Sequence, residues 1–378
     1  MLIAVEATRL EREVRGIGRY VRAVLPRLLQ QRSELQLVLF AKTARSVASL
    51  ADWVSRDPKL RDRVSVRHVR GMACTPADVY WYPWNVVRPA PRDGASVVTV
   101  HDIAPVAMPD PRWLAWRKNL RWRLRFKRST QVATLMLADS AFTAAEIQRV
   151  LGGDADRIRV VPLAADDFDI SSRADDAAVL ERLGVRAPYV LTVGAAEKRK
   201  NHPLLEHAMR DVVASHPQAM LVLAGPRRHG KASTDGAPWM HTLGFVSDTD
   251  LAALYRGAAA FVMPSTYEGF GLPVLEAMRM GTPVICANAS SLPEVAGDAA
   301  LWVTPDDPAE LARAISRVLD DESLRRTMRA ESLRRSNVFS WDETTRATLR
   351  AFDEAHKLHL LADPATLAAP LETAASTL

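Results

Sequence analysis

Short apolar runs separated by longer helical patterns recur along most of this sequence. That alternation restricts the fold more than any other feature, because neighbouring parallel strands can be joined only by long crossovers, usually helices. The first half predicts strands near 2–7, 36–41, 64–69, 78–82, 96–101, 134–139 and 158–163. The second half repeats the scheme near 189–194, 219–224, 241–245, 260–264, 283–287 and 300–303. Between them, Asp166-Asp167-Phe168-Asp169 and an acidic, serine-containing stretch interrupt the pattern. The expected architecture is therefore α/β, with two doubly wound Rossmann-like domains at 1–165 and 188–339 joined by a linker at 166–187. A chain of 378 residues is long enough for two cores. Open parallel sheets present their loops at the C-terminal ends of the strands, so the two domains are expected to face an interdomain cleft. A helix over 340–356, with Ser340 at its start, is expected to pack back on the first domain; the tail at 357–378 carries no usable signal.

Net charge is +6, but eight basic residues and no acidic one lie between Asp110 and Asp139, so the remainder of the chain sums to 6 − 8, or −2. The excess positive charge is therefore local, and no nucleic-acid partner is expected. Cys74 and Cys286 sit in unrelated contexts and make neither a disulfide framework nor a zinc knuckle, which suits a reducing, cytoplasmic setting. Met1-Leu2-Ile3-Ala4-Val5-Glu6 is unlike a signal peptide, and no apolar run approaches a spanning helix, so membrane contact is expected to be peripheral.

The most informative segment runs from Pro264 to Met278 and contains Glu268-Gly269-Phe270-Gly271-Leu272-Pro273 followed by Glu276. A strand ends at Pro264, a glycine-containing turn follows, and Pro273 suits the first turn of a helix. Gly269 and Gly271 allow main-chain N–H groups to approach a ligand, and the helix start favours a diphosphate. On spacing alone, Glu268 and Glu276 read equally well as two solvated glutamates. A second constellation, Gly194-Ala195-Ala196-Glu197-Lys198-Arg199-Lys200-Asn201, follows the first strand of the second half and places cations where a diphosphate would need compensation. In the first half, Gly16-Ile17-Gly18 lacks the third glycine of a dinucleotide fingerprint, which disfavours a dehydrogenase. His101 ends a strand, and Asp139-Ser140 reads as a helix cap.

These motifs resemble glycosyltransferase family 4, whose signature is a glutamate, seven residues and a second glutamate around Glu-Gly-Phe-Gly-Leu-Pro. Gly244-Phe245-Val246-Ser247-Asp248, Leu254-Tyr255, Gly281-Thr282-Pro283-Val284 and Ser291-Leu292-Pro293-Glu294-Val295-Ala296-Gly297-Asp298 match the family's C-terminal domain in its order, and the resemblance covers the chain from near residue 1 to about 355. It implies a GT-B fold and a retaining glycosyltransferase that moves a hexose from a nucleotide sugar to a glycan or polyprenyl-linked acceptor. It also implies that Glu268 contacts the transferred sugar, that Glu276 binds the nucleotide ribose, and that Arg199 and Lys200 neutralise the diphosphate. Gly16, Gly18, Gly269, Phe270, Gly271 and Leu272 would line the donor, and His101 would approach a sugar hydroxyl. Some members carry an arginine where this chain has Ala195. Family habit points first to GDP-mannose, with UDP-sugars next, and to bacterial surface polysaccharide. A nucleotide-sugar epimerase of the same fold and an inactive scaffold for a glycan or partner transferase are the alternatives.

No cofactor or metal is expected. Asp167-Phe168-Asp169 falls in the linker and Asp248-Thr249-Asp250 reads as a helix start, not as metal-binding pairs. From Arg112 to Arg128 the chain predicts a basic helix with Trp113, Trp116, Leu120 and Leu124 on one stripe and Arg117, Lys118, Arg121, Arg125 and Arg128 beside it. Two compatible readings follow: the stripe packs on the first sheet, or it lies on an anionic membrane.

Overall fold

A computed structural model describes residues 1–13, 16–109, 112, 115–168, 175–226 and 237–362. The chain divides into two compact units. One comprises residues 1–139 and 143–161 with the chain from Asp342 onward; the other comprises 140–142 and 162–341.

The first unit contains β1 (Leu2–Glu6), α1 (Ile17–Gln31), β2 (Gln36–Ala41), α2 (Ala44–Arg56), β3 (Val64–His68), β4 (Val79–Tyr82), β5 (Ala95–Val100), α3 (Ala104–Ala107), α4 (Trp116–Val132), β6 (Leu135–Ala138), most of α5 (Ala141–Leu151) and β7 (Ile158–Val160). Its strands form one parallel sheet in the order β3-β2-β1-β4-β5-β6-β7. Every residue of β4, β5 and β6 is buried, as expected where helices cover both faces of a parallel sheet. At the edge, β3 reverts to alternating exposure.

The second unit contains α6 (Asp176–Arg182), β8 (Tyr189–Val193), α7 (His202–Ser215), β9 (Met220–Ala224), β10 (Met240–Gly244), α8 (Asp248–Gly257), β11 (Ala260–Met263), α9 (Leu272–Arg279), β12 (Val284–Ala287), α10 (Leu292–Ala296), β13 (Ala300–Val303), α11 (Pro308–Asp320) and α12 (Glu322–Ser336). Its sheet is again parallel, in the order β10-β9-β8-β11-β12-β13. The strand order of each sheet reverses once, between β1 and β4 and between β8 and β11. Connections there leave on opposite sides and open a crevice at the strand C-termini. Within the stretch read as a linker, α6 is a helix tied to α8 by a two-pronged pair between Asp176 and Arg256, at 2.6 and 2.7 Å.

The last helix, α13 (Trp341–Ala362), is longer than the sequence pattern indicates. Trp341 is fully buried in the second unit, where its main-chain N–H and indole N–H donate to Asp166 and Asp167. From Asp342 the helix belongs to the first unit: Phe352 packs edge-on against Trp81 at 5.7 Å, and Asp353 forms a fork with Arg32, the residue after α1.

In α4 the Trp/Leu stripe does not pack on the sheet. Phe126, Ser129 and Thr130 take the inner face, with Trp122 partly buried on the same core. Trp116, Leu120 and Leu124 are 55%, 47% and 59% exposed. Trp113 lies outside the described residues.

Truncating Phe352 to alanine should lower the stability of the first unit by about 3–5 kcal/mol, whereas Asp353→Asn, which removes a surface pair, should cost less than about 1 kcal/mol. Urea unfolding followed by tryptophan fluorescence separates the two.

Candidate functional site

The loops leaving β8 and β11, the two strands flanking the reversal in the second sheet, converge on Glu268. After β8 the chain makes a short 3-10 turn, Lys198–Lys200, and Asn201 in the left-handed region redirects it into α7. Arg199 Nη1 donates to Glu268 Oε2 at 2.8 Å and to the Tyr267 carbonyl at 3.2 Å, and its Nε donates to Glu197 at 2.7 Å. Lys200 Nζ lies 2.8 Å from Glu268 Oε1. The backbones are joined as well, since Thr266 N–H donates to the Arg199 carbonyl at 2.8 Å.

Lys200 reaches this position because two glycines leave room. A Cβ on Gly194 (φ +138°) would sit 3.1 Å from Lys200 Cε, and one on Gly225 (φ +153°) would lie 2.2 Å from the Gly194 carbonyl oxygen. Glu268, Lys200 and Glu276 are all buried. Burial alone would raise the Glu268 carboxyl, but Lys200 and Arg199 outweigh it and hold that group below its usual range. The neighbouring His202 is pushed down to about 4 by burial and by Lys200, so it is neutral at neutral pH.

The turn from Glu268 to Gly271 is held from α10's side. Ser290, itself at φ +54°, accepts from Glu268 N–H at 2.9 Å, and Ser291 Oγ donates to the Glu268 and Phe270 carbonyls at 2.9 and 2.8 Å. Gly271 (φ +101°) then starts α9 without a side-chain cap. Among the described residues no acceptor meets the main-chain N–H groups of Phe270, Gly271 and Leu272. Nor does any partner other than Glu268 meet the Lys200 ammonium, so two of its three N–H bonds remain available. Open amides at a helix start beside a buried ammonium make an anion site. Glu276 faces a different neighbour: its Oε2 accepts from the Tyr255 hydroxyl at 3.0 Å.

In the first unit His101 and the glycine turn come together through Tyr20. Its ring meets the His101 imidazole edge-on at 5.1 Å, and its hydroxyl lies 3.3 Å from Thr99 Oγ1. Gly18 is buried in the first turn of α1, where a Cβ would lie 1.6 Å from the Glu13 carbonyl oxygen; Gly16 has φ +55°. Both glycines thus have a conformational reason to be there. His101 Nδ1 meets Asp139 Oδ2 at 2.6 Å and Nε2 meets the Pro83 carbonyl at 2.9 Å. Since a carbonyl oxygen only accepts, Nε2 carries a proton, and Nδ1 and the Asp139 carboxyl share a second one. Burial opposes a charge on the ring, but Asp139 overcomes it and raises the histidine, while burial raises the Asp139 carboxyl as well. Asp139, read from sequence as part of a cap, is instead the hydrogen-bond partner of the ring. Contact with a sugar hydroxyl would require the Pro83 bond to be exchanged.

Sequence reasoning also missed Tyr255 as the partner of Glu276, and Ser290 and Ser291 as the clamp on the turn. Tyr255 and Ser291 stand inside matching motifs, and Ser290 directly precedes one. The acidic pairs have structural partners: Ser247 caps α8, Asp250 pairs with Arg182 at 2.6 Å, and Asp167 binds Trp341. Asp169 lies outside the described residues.

Glu268→Gln should lower stability by up to about 3 kcal/mol at neutral pH, because it leaves buried Lys200 without its counter-ion. Since the folded pKa is depressed, this difference is fully present above the ordinary value of 4.5 and shrinks as pH falls through the native value. Denaturant titrations of both proteins across acidic pH would measure it; a difference independent of pH would refute the assigned charge pair.

Comparison with known proteins places these features in a family. The model for glycosyl transferases group 1 matches residues 181–335. The O-antigen chain mannosyltransferase B of Escherichia coli is 33% identical over 373 residues, covering 89% of this chain and 95% of that protein. Among solved structures, Anabaena Alr3699/HepE in complex with UDP and glucose aligns with a TM-score of 0.71 at 19% identity, covering 94% of this chain and all of the other. Sucrose-phosphate synthase from Thermosynechococcus elongatus aligns with a TM-score of 0.70 at 20% identity, covering 94% and 98%. With that identity along most of its length and two parallel sheets of the matching GT-B fold, the chain belongs to the group 1 glycosyltransferases, family 4.

Proposed function

We propose that this chain is a retaining mannosyltransferase that takes mannose from a nucleotide diphosphate sugar, GDP-mannose first, and adds it to a glycan or lipid-linked acceptor during assembly of a bacterial surface polysaccharide. The observation that carries the reading is the anion site of the second unit: a buried ammonium with two open N–H bonds near three open main-chain amides. Such donors match a pyrophosphate and need no solvent reorganisation as negative charge builds on it. The choice of mannose rests on the similarity to the O-antigen chain mannosyltransferase B of E. coli.

In this reading Arg199 and Lys200 hold the diphosphate together with the amides of Gly269, Phe270, Gly271 and Leu272. Glu268 accepts from hydroxyls of the transferred sugar, and Glu276, oriented by Tyr255, accepts from the ribose. Gly16 and Gly18 contribute backbone contacts, and His101 with Asp139 fixes the ring beside Tyr20. The bond from the sugar's anomeric carbon to the diphosphate oxygen breaks through an oxocarbenium-like ion pair. The acceptor hydroxyl attacks from the same face, and its proton passes to the departing phosphate oxygen. The products are the glycoside and a nucleoside diphosphate.

A thermal-shift screen of nucleotide sugars should single out GDP-mannose, since a ligand bound only by the folded state stabilises it by mass action. Glu268→Ala should then reduce transfer on the order of 100-fold or more with nucleotide affinity little changed, whereas Glu276→Ala should weaken nucleotide binding roughly tenfold. The reverse pattern would overturn the two assignments. Donor consumption that proceeds unchanged without acceptor would overturn transfer itself.

A further inference from the structure

The outward face of α4 combines two features that rarely share a solvent-exposed surface. Trp116, Leu120 and Leu124, each four residues apart, form an exposed apolar stripe. Arg117, Lys118, Arg121, Arg123, Arg125, Lys127 and Arg128 surround it, and the helix has no acidic residue. No acidic partner meets any of these seven cations among the described residues; Arg117 and Arg125 instead lie over the Trp116 and Trp122 rings at 5.5 Å. The helix cannot roll to bury the stripe, because its other face is fixed. Phe126 is 1% exposed, Ser129 Oγ accepts from Val87 N–H at 2.9 Å, and Trp122 is partly buried against the same core. Beside Leu120 a groove of about 390 Å³, lined by Pro105, Val106 and Pro109 with Arg123 at its rim, extends the apolar surface beyond the helix.

We infer that α4 is a docking surface for an anionic lipid bilayer, lying in the plane of the membrane. Trp116, Leu120 and Leu124 enter the boundary between headgroups and acyl chains, and the flanking cations meet lipid phosphates. Three observations select this occupant. The cations demand a polyanion, and the apolar stripe would go unused against a purely polar one such as nucleic acid. A second copy of the chain would set seven cations against seven. Among the described residues no helix is long and apolar enough to cross a membrane, so attachment through this face would be interfacial. The inference does not rest on the sugar transferred, because binding is read without turnover.

The full chain is mixed with vesicles of phosphatidylcholine alone, or with roughly a third phosphatidylglycerol, and bound protein is measured by flotation. Binding should be confined to the anionic vesicles and should weaken as salt rises. The variant Arg117→Gln, Lys118→Gln, Arg121→Gln, Arg125→Gln should bind roughly 600-fold more weakly, each cation contributing about fivefold. Trp116→Ser, Leu120→Ser, Leu124→Ser should also lose binding, with far-UV circular dichroism checking that both variants fold. Arg326→Gln with Arg334→Gln, on α12, should bind as the parent does. Brominated lipid should quench the parent's fluorescence more than that of Trp116→Phe, a readout needing no disruptive variant. Failure of the parent to bind anionic vesicles would overturn the proposal, as would binding that survives either α4 variant. Equal affinity for inorganic polyphosphate, with no Trp116 quenching by lipid, would make the face a general polyanion site and overturn it too.

Discussion

An ammonium removed from water costs several kcal/mol unless a counter-charge and hydrogen-bond acceptors replace the solvent. Lys200 is in that position, and much of the local backbone can be understood from it. Glu268 supplies the counter-charge, so the loop after β11 must bring a carboxylate back over the end of β8. Gly194 must lack a side chain, or it would crowd the lysine stem, and Gly225 must lack one, or it would strike the Gly194 backbone. Ser290 and Ser291 must hold the turn that carries Glu268, and Thr266 must lock it to the Arg199 backbone. The strand order explains why this happens between β8 and β11: it is where adjacent loops diverge and leave a crevice for side chains.

The first unit solves a related problem in another way. His101 and Asp139 end neighbouring strands, β5 and β6, and their burial forces them to act as a pair. What the pair provides is rigidity: Tyr20 rests on the ring edge, Trp81 and Tyr20 share Thr99, and the start of α1 is fixed relative to the end of β5. The tight turn at Gly16 and Gly18 is therefore built on a stiff base.

The positions of the thirteen strands among the described residues and the two-sheet plan were legible in the sequence because buried parallel strands are nearly continuous apolar runs, and glycine, proline and acidic residues punctuate them. Arg199, Lys200 and Glu268 were legible as members of motifs at strand ends, but not as a triad in contact, since the contact spans about seventy residues of sequence and depends on which strands are neighbours. Glu276 was legible; Tyr255, which binds it from 21 residues earlier, was not. Periodicity gave the α4 stripe but could not say whether water or the sheet faced it. That was decided by Phe126, Ser129 and Thr130, whose inner face is partly polar and so leaves little trace in a hydrophobic pattern. The helix inside the 166–187 stretch was hidden by its short length and its reliance on a distant arginine, Arg256.

Glu268 occupies two of the donors that an incoming anion would use. It behaves as a tethered competitor whose local concentration is set by the fold and not by the medium. A stray monovalent anion must displace a carboxylate that never diffuses away, and gains little by doing so. A ligand that presents two linked phosphates to the helix amides at the same moment can make the exchange and leave Glu268 free to turn toward whatever that ligand carries. Selectivity against the abundant small anions around the protein would then come from a negative charge of its own.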